Sequence, residues 1–385
     1  MVEDQKFKIN FICPSFFGTS GYVAHARGLI NALDKVMDVK ISSQLPQDWE
    51  RQVNDQELLM LKKSDSKDRI QIILDLPFNW LQYANKYFNC AWLIFEGDKI
   101  PLSWVPIIKD HRINQVWVPS THVYNAIKNT LIGEEYEKQM TMNKVKIVPH
   151  GVNLELFKPE ERKKDLFTFL INKGFRNQYD RGGMQHGIKA FIEEFKKGEA
   201  RLVLKLNPAY AMSPQDLINF INFTCIQSNK KSDEIGEIIF NYDAMLTHML
   251  KDLYNNTDVL LNPTEAEAFS LPCIESMACG KPVITTNYGG QIDFVTNSNG
   301  WLIDYELHEV RHELMYEGIN WAKPDIEHIK KTMRLALSDK ESYATKAQNA
   351  LKQALNFTWK NSALKAQELL YSLAGGAETK QHAFP

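Results

Sequence analysis

Short apolar runs rich in β-branched and aromatic residues recur along the chain, and between several of them lie stretches with apolar residues at helical spacing. In the first half the runs are FKINFIC, DVKIS, IQIILDL, CAWLIF, QVWVPS and VKIVP, with GYVAHARGLINAL and THVYNAIKNTL among the helical stretches. Near-continuous apolar strands alternating with helices predict a parallel sheet covered on both faces. KPEERKKD (158–165) interrupts this pattern with charge and a proline and is the candidate hinge. The alternation then restarts with LFTFLIN, RLVLKL, EIIFNY, DVLLNP, PVITT and GWLID. Two doubly wound α/β domains are predicted, residues 1–158 and 159–355. Each would offer the C-terminal ends of its strands to a cleft between them. Past about residue 324 only helical patterns remain; a last helix is expected at about 358–373 and a disordered tail over 374–385.

A length of 385 residues fits two domains. Hydrophobic content of 44% and charged content of 24% are those of a globular protein, and a net charge of −2 gives no reason to expect nucleic acid as a partner. The five cysteines are scattered without a CxxC pair, which points away from a disulfide framework or zinc site and towards a reducing, cytoplasmic compartment. MVEDQKFKINFIC puts acidic residues before a short apolar run, unlike a signal peptide. No stretch approaches the roughly 20 apolar residues of a membrane span, and peripheral contact with a membrane surface stays open.

The densest chemistry lies in EAFSLPCIE, where Glu267 and Glu275 flank a helix start. Pro272 suits the first helical turn and Gly280 the stop, so Glu267 falls in the entering loop and Glu275 near the end of the first turn. The N–H groups of Phe269, Ser270 and Leu271 are then candidates to face an anion or a hydroxylated ligand. A capped helix with two solvated acids is the alternative. Gly18 and Gly21 open a helix after the first strand, a position for a phosphate cradle or a plain turn; GxGxxG is absent. Arg176 and Arg181 sit five apart in a Gly-rich loop and suit a diphosphate, although loop arginines are commonly just solvated. Glu96, His150 and Lys205 stand at strand ends and are candidate cleft residues, each with an ordinary structural alternative. Without DxD, HExxH or another ligand-spaced cluster, no metal and no cofactor is expected.

EAFSLPCIESMACGKPVITTNYGG, preceded by LKDLYNNTDVLLNPT, resembles the E-x7-E signature of retaining glycosyltransferases of family four, which have the GT-B fold. VWVPSTHVYNAI, IVPHGVNLELFKP, GFRNQYDRGG and the first Gly-x-x-Gly turn follow in the family's order, and FTWKNSALKAQELL is similar to its last helix, which crosses back to the first domain. The resemblance implies that Glu275 holds the ribose of a nucleotide and Glu267 the donor sugar's hydroxyls. The amides of Phe269, Ser270 and Leu271 would bind sugar and diphosphate, Arg176 and Arg181 would neutralise the departing diphosphate, and Gly18 and Gly21 would approach it. It further implies metal-independent transfer of a hexose-type sugar from a nucleoside-diphosphate donor, UDP or GDP among the candidates, to a hydroxyl with retention. In that reaction the leaving phosphate helps take the acceptor proton.

Three departures stand out. Arg181-Gly182 replaces the usual Lys-Gly, Glu267-Ala268-Phe269-Ser270-Leu271 replaces Glu-Gly-Phe-Gly-Leu, and Glu96 lies where many relatives carry a histidine. A non-catalytic GT-B accessory or scaffolding subunit is the main alternative; a glycoside hydrolase and a nicotinamide-dependent dehydrogenase are weaker rivals. The acceptor, whether lipid-linked glycan, polysaccharide, protein or small molecule, is not legible.

Overall fold

The computed structural model describes residues 7–18, 20–64, 69–161, 165–243, 245, 247–311 and 314–381. The chain divides into two compact units: Met1–Ile94, Ile100–Gly151 and Phe357–Pro385 form the first, Phe95–Lys99 and Val152–Asn356 the second. The expected boundary at 158/159 therefore falls at 151/152, and five residues from the first half of the chain belong to the second unit. Part of the candidate hinge, residues 162–164, lies outside the described residues.

In unit 1 the strands are β1 (Lys8–Ile12), β2 (Asp38–Ser42), β3 (Ile70–Leu74), β4 (Asn89–Trp92), β5 (Gln115–Val118) and β6 (Val145–Ile147). They form one parallel sheet of order β2-β1-β3-β4-β5-β6. The helices are α1 (Gly21–Val36), α2 (Asp55–Lys62), α3 (Pro77–Tyr83), α4 (Val105–Lys109), α5 (Thr121–Thr130) and α6 (Glu135–Asn143). Ser20 caps α1 by accepting from the Val23 amide at 3.3 Å, and Ser120 caps α5 in the same way. The last helix, α13 (Trp359–Gln381), closes this unit by packing on α1. It runs past the expected end at 373, so residues 374–381 of the expected tail are helical and 382–385 lie outside the described residues.

Gly28 and Gly151 let α13 approach. A Cβ on Gly151 would stand 2.2 Å from the Trp359 amide nitrogen, and one on Gly28 2.3 Å from the Trp359 ring. Gly151→Ala is expected to lower the stability of unit 1 by about 1–3 kcal/mol, the usual cost of overpacking. A urea midpoint equal to that of the wild type would show that α13 moves aside without penalty.

Unit 2 has a second parallel sheet, built from β7 (Thr168–Phe175), β8 (Arg201–Ala211), β9 (Glu237–Asn241), β10 (Val259–Asn262), β11 (Val283–Thr286) and β12 (Gly300–Ile303) in the order β12-β11-β10-β7-β8-β9. The helices α7 (Met184–Glu194), α8 (Pro214–Gln227), α9 (Thr247–Asn255), α10 (Leu271–Ala278), α11 (Ile326–Ser338) and α12 (Lys340–Ala354) complete it. Phe169, Ile171, Leu202, Leu204, Leu261 and Ile284 stack in its core. Strand order reverses between β7 and β10, and in open α/β sheets the crevice beyond the strand ends at such a reversal is where ligands bind.

One element has no counterpart in the apolar pattern. β13 (Tyr305–Glu309) and β14 (Asn320–Pro324) pair antiparallel as a separate hairpin. YELHE carries two glutamates and a histidine and is largely exposed, so neither burial nor apolar alternation marks it as a strand. Among the described residues no helix is long and apolar enough to cross a membrane.

Candidate functional site

The strand ends at the β7/β10 reversal gather most of the candidate chemistry of unit 2. Glu267 follows β10, and its backbone carbonyl is fixed by the Gly290 amide at 2.8 Å. Ser270 then adopts φ 73°, ψ 82°, a left-handed conformation that glycine takes without strain, and α10 starts at Leu271 with Pro272 in its first turn. Phe269 turns its ring into the interior against Phe294, with ring centroids 4.9 Å apart, which leaves only its backbone to serve a ligand. Among the described residues the amides of Ser270 and Leu271 donate to no backbone or side-chain acceptor, as expected for the open end of a helix.

Lys173, at the end of β7, places its ammonium on the Glu267 carboxylate. Burial works to raise the pKa of Glu267, but Lys173 and Arg181 outweigh it and hold the carboxyl below its ordinary range. Arg181 reaches the same place from the loop before α7. Its guanidinium meets Glu96 at 2.9 Å and donates to the Ala266 carbonyl at 3.2 Å. Its own carbonyl accepts from the Glu265 amide at 2.8 Å and the Thr264 hydroxyl at 3.0 Å. Burial opposes the charged form of Arg181, yet Glu96 and Glu267 raise its pKa further. Gly183 in this loop has φ 72°, and a Cβ there would lie 1.8 Å from the Pro263 carbonyl oxygen, so the backbone can pass only with glycine.

Glu275, inside α10, is buried and accepts from the Tyr254 hydroxyl at 2.8 Å, which in turn accepts from the Asn172 amide at 3.0 Å. Burial pushes the Glu275 carboxyl up to about 7, against the hydrogen bond from Tyr254.

Glu96 is joined to this set by the hairpin. Tyr316 donates to it at 2.7 Å and stacks on Phe95 with centroids 5.0 Å apart, while the backbone and side-chain amides of Asn320 hold Asp98 at 2.8 and 2.9 Å. Glu265 is a further anchor, accepting from His186 and His308 at 2.6 Å each, which ties α7 and β13 to the loop after β10.

Not every candidate converges. Arg176 is exposed, its guanidinium 4.9 Å from the Tyr210 ring centroid. Lys205 is buried and donates to the Leu206 carbonyl at 2.7 Å, and burial lowers its pKa. In unit 1, Gly18 has φ 122°, which requires glycine, whereas Gly21 begins α1 with open space where a Cβ would go. His150, expected to face a cleft, is buried inside unit 1, stacked on His25 at 3.8 Å and on Trp359. Its neighbours there are aromatic rings, which make it part of the packing of unit 1. Lys173, Tyr254, Asn172 and Glu265 were not singled out from the sequence. Lys173 carried the same signal as Lys205, a lysine at the end of an apolar strand.

Two Rossmann-like units with these sheet orders define the GT-B fold. Solved structures agree: a sucrose-phosphate synthase from Thermosynechococcus elongatus aligns with a TM-score of 0.67 at 16% identity over 96% of this chain and 100% of that one. A glycosyltransferase from Rickettsia africae aligns with a TM-score of 0.66 at 15% identity, over 94% and 97%. Residues 230–353 match the family model described as glycosyl transferases group 1. Among curated relatives, a D-inositol 3-phosphate glycosyltransferase of Paenarthrobacter aurescens is 22% identical over 169 residues, 42% of this chain and 40% of that protein. An N-acetylgalactosaminyltransferase of Campylobacter jejuni, named as acting on a diphospho-undecaprenol-linked sugar, is 24% identical over 229 residues, 56% and 51%. The aligned part is thus about half the length of these relatives.

Proposed function

We propose that the protein is a glycosyltransferase that moves a hexose-type sugar from a nucleoside diphosphate to an acceptor hydroxyl, with retention and without a metal. The observation that carries this reading is the meeting of Lys173 and Arg181 with Glu267 beside the open N-terminus of α10, at the β7/β10 reversal. A nucleoside-diphosphate sugar has a hydroxylated ring at each end and phosphates between. Glu275 would take the ribose, Glu267 the sugar, and the Ser270 and Leu271 amides with Arg181 the diphosphate. As the C1–O bond to the diphosphate breaks, charge grows on the leaving oxygen, where Arg181 and the helix terminus stabilise it. That oxygen accepts the acceptor's proton as the new C1–O bond forms on the same face. An Anabaena protein of the same fold, with a TM-score of 0.63 and 14% identity, has been solved with UDP and glucose, which makes UDP the first base to try.

The accessory-subunit alternative draws on one observation, the exposed placement of Arg176 over Tyr210. Release of nucleoside diphosphate from UDP-glucose, UDP-N-acetylglucosamine and GDP-mannose separates the two, and chelator is expected to leave that release intact.

Calorimetric titration with UDP, GDP, ADP and NAD tests the donor site. One nucleoside diphosphate is expected to bind, and Glu275→Ala to weaken it about tenfold or more, the worth of hydrogen bonds to a charged group. Ribose hydroxyls donate to the ionised carboxylate, and the empty site holds its proton up to about pH 7. Affinity is therefore expected to rise with pH and level off above about 7. In Glu275→Gln that dependence should disappear. Equal wild-type affinity at pH 6 and 8 would remove Glu275 from the ribose site.

A further inference from the structure

Resting on that reading, we infer that Lys173 is a positioning residue: its ammonium fixes the Glu267 carboxylate as a hydrogen-bond acceptor for the donor sugar's hydroxyls. The family pattern of glutamates and arginines assigns nothing to this lysine. Three observations carry the inference. The side chain of Lys173 is only 9% exposed and that of Glu267 15%, so both charges sit in a poorly solvated place where each needs the other. The two come from opposite sides of the strand-order reversal, Lys173 from the end of β7 and Glu267 from beyond β10, so their contact fixes the Glu267 loop to the sheet at the crevice. The backbone of Glu267 is held independently by Gly290, which leaves the side chain's direction as the degree of freedom that Lys173 removes.

Charge assignment follows from the same contact. A protonated Glu267 would offer one donor and lose acceptor capacity, whereas the ionised carboxylate can accept from two sugar hydroxyls. Arg181 shares its charge with Glu96, so Lys173 is the cation seated directly on Glu267. Lys173 differs in this from a diphosphate-binding cation, whose removal would weaken nucleotide binding as well as turnover.

The test uses the full chain with Lys173→Met, Lys173→Arg and Glu267→Gln. Glutamate labelled with 13C at the side-chain carboxyl is titrated by NMR, the Glu267 signal being assigned by its loss in Glu267→Gln. In Lys173→Met its titration is expected to move up by about two pH units, the usual effect of removing an adjacent opposite charge, and Lys173→Arg is expected to restore most of it. With UDP-glucose, UDP-N-acetylglucosamine or GDP-mannose, whichever the wild type cleaves, kcat of Lys173→Met should fall about 100-fold with KM within about threefold, since misplacement costs turnover rather than binding. An unmoved Glu267 titration would overturn the inference, as would a loss confined to KM. Should Lys173→Met fail to fold, Lys173→Gln takes its place in both measurements. If none of the three donors is cleaved, the functional reading fails, while the NMR titration still decides whether Lys173 controls Glu267.

Discussion

Arg181→Ala is expected to lower turnover about 1000-fold while weakening nucleoside-diphosphate binding only about tenfold. The difference follows from when the charge appears. In the donor complex proposed above the phosphate oxygens would share their charge with water and with the amides at the α10 terminus, so losing one guanidinium would cost about one charge-assisted hydrogen bond. In the transition state of the proposed transfer another charge would collect on the leaving oxygen beside Arg181, and a fixed cation there is worth about 3–4 kcal/mol. Arg181 is fixed: its carbonyl is tied to Thr264 and Glu265, and Gly183 behind it admits no side chain. Arg176 is exposed over Tyr210 and its variant Arg176→Ala should lose about tenfold or less. The comparison of single-turnover rates and nucleotide affinities for the two variants checks this. Equal losses would mean that both arginines close on the donor, and an Arg181→Ala enzyme of wild-type rate would end the assignment. Arg181→Lys should recover part of the rate, because charge returns without the planar fork.

Glu96 has a place in that argument because it sits on Arg181 in the structure. On the proposed reading an incoming diphosphate would compete with it for the guanidinium, and Glu96 is what the site would exchange on binding.

The alternation of apolar runs and helices made both parallel sheets legible, because strands buried on two faces must be apolar throughout. Glu267, Glu275 and the helix between them were legible for a similar reason: Pro272 and Gly280 punctuate the helix on either side. The hairpin was not. Its first strand faces water, and its hold on Glu96 and Asp98 joins residues more than 200 positions apart, which no local pattern records. The aromatic neighbours of His150 were not legible, because a strand-end position says which end of the sheet a residue occupies but not what packs against it. Tyr254 and Asn172 sit in elements read correctly, yet their relay to Glu275 depends on how α9, β7 and α10 pack, again a three-dimensional fact. Ser270 shows the reverse case. Its departure from the family's glycine was visible in the sequence, and the structure supplies the reason glycine is usual there, a φ of 73°.

Acidification from about pH 7 to pH 5 is expected to weaken unit 1, by about 2 kcal/mol through His25 and further in the same direction through His150, before most carboxylates titrate. His25 is fully buried in α1, both ring nitrogens lack a hydrogen-bond partner among the described residues, and burial lowers its pKa to about 3. His150, stacked on it, is lowered for the same reason and by the neighbouring His25 charge. Below about pH 6.5 the unfolded chain takes a proton at each ring that the folded unit refuses, so stability is complete above that pH and falls as the pH drops towards 3. Unit 2 carries a group of opposite sign. Glu275, up at about 7 from 4.5, keeps its proton in the folded state where the unfolded chain has lost it, so its contribution is present at low pH and lost as the pH rises through about 7. Mild acid should therefore loosen the unit that carries the histidines while sparing the one that carries Glu275. Urea unfolding at about pH 5, 6 and 7.5, read by pulsed hydrogen exchange in peptides of each unit, measures the contrast. His25→Leu should reduce the acid sensitivity by about 2 kcal/mol between about pH 7 and pH 5 and cost little at about pH 7.5, because an apolar side chain replaces a buried ring whose nitrogens are unsatisfied. Equal acid sensitivity in wild type and His25→Leu would show that the histidine pair is not what acid attacks.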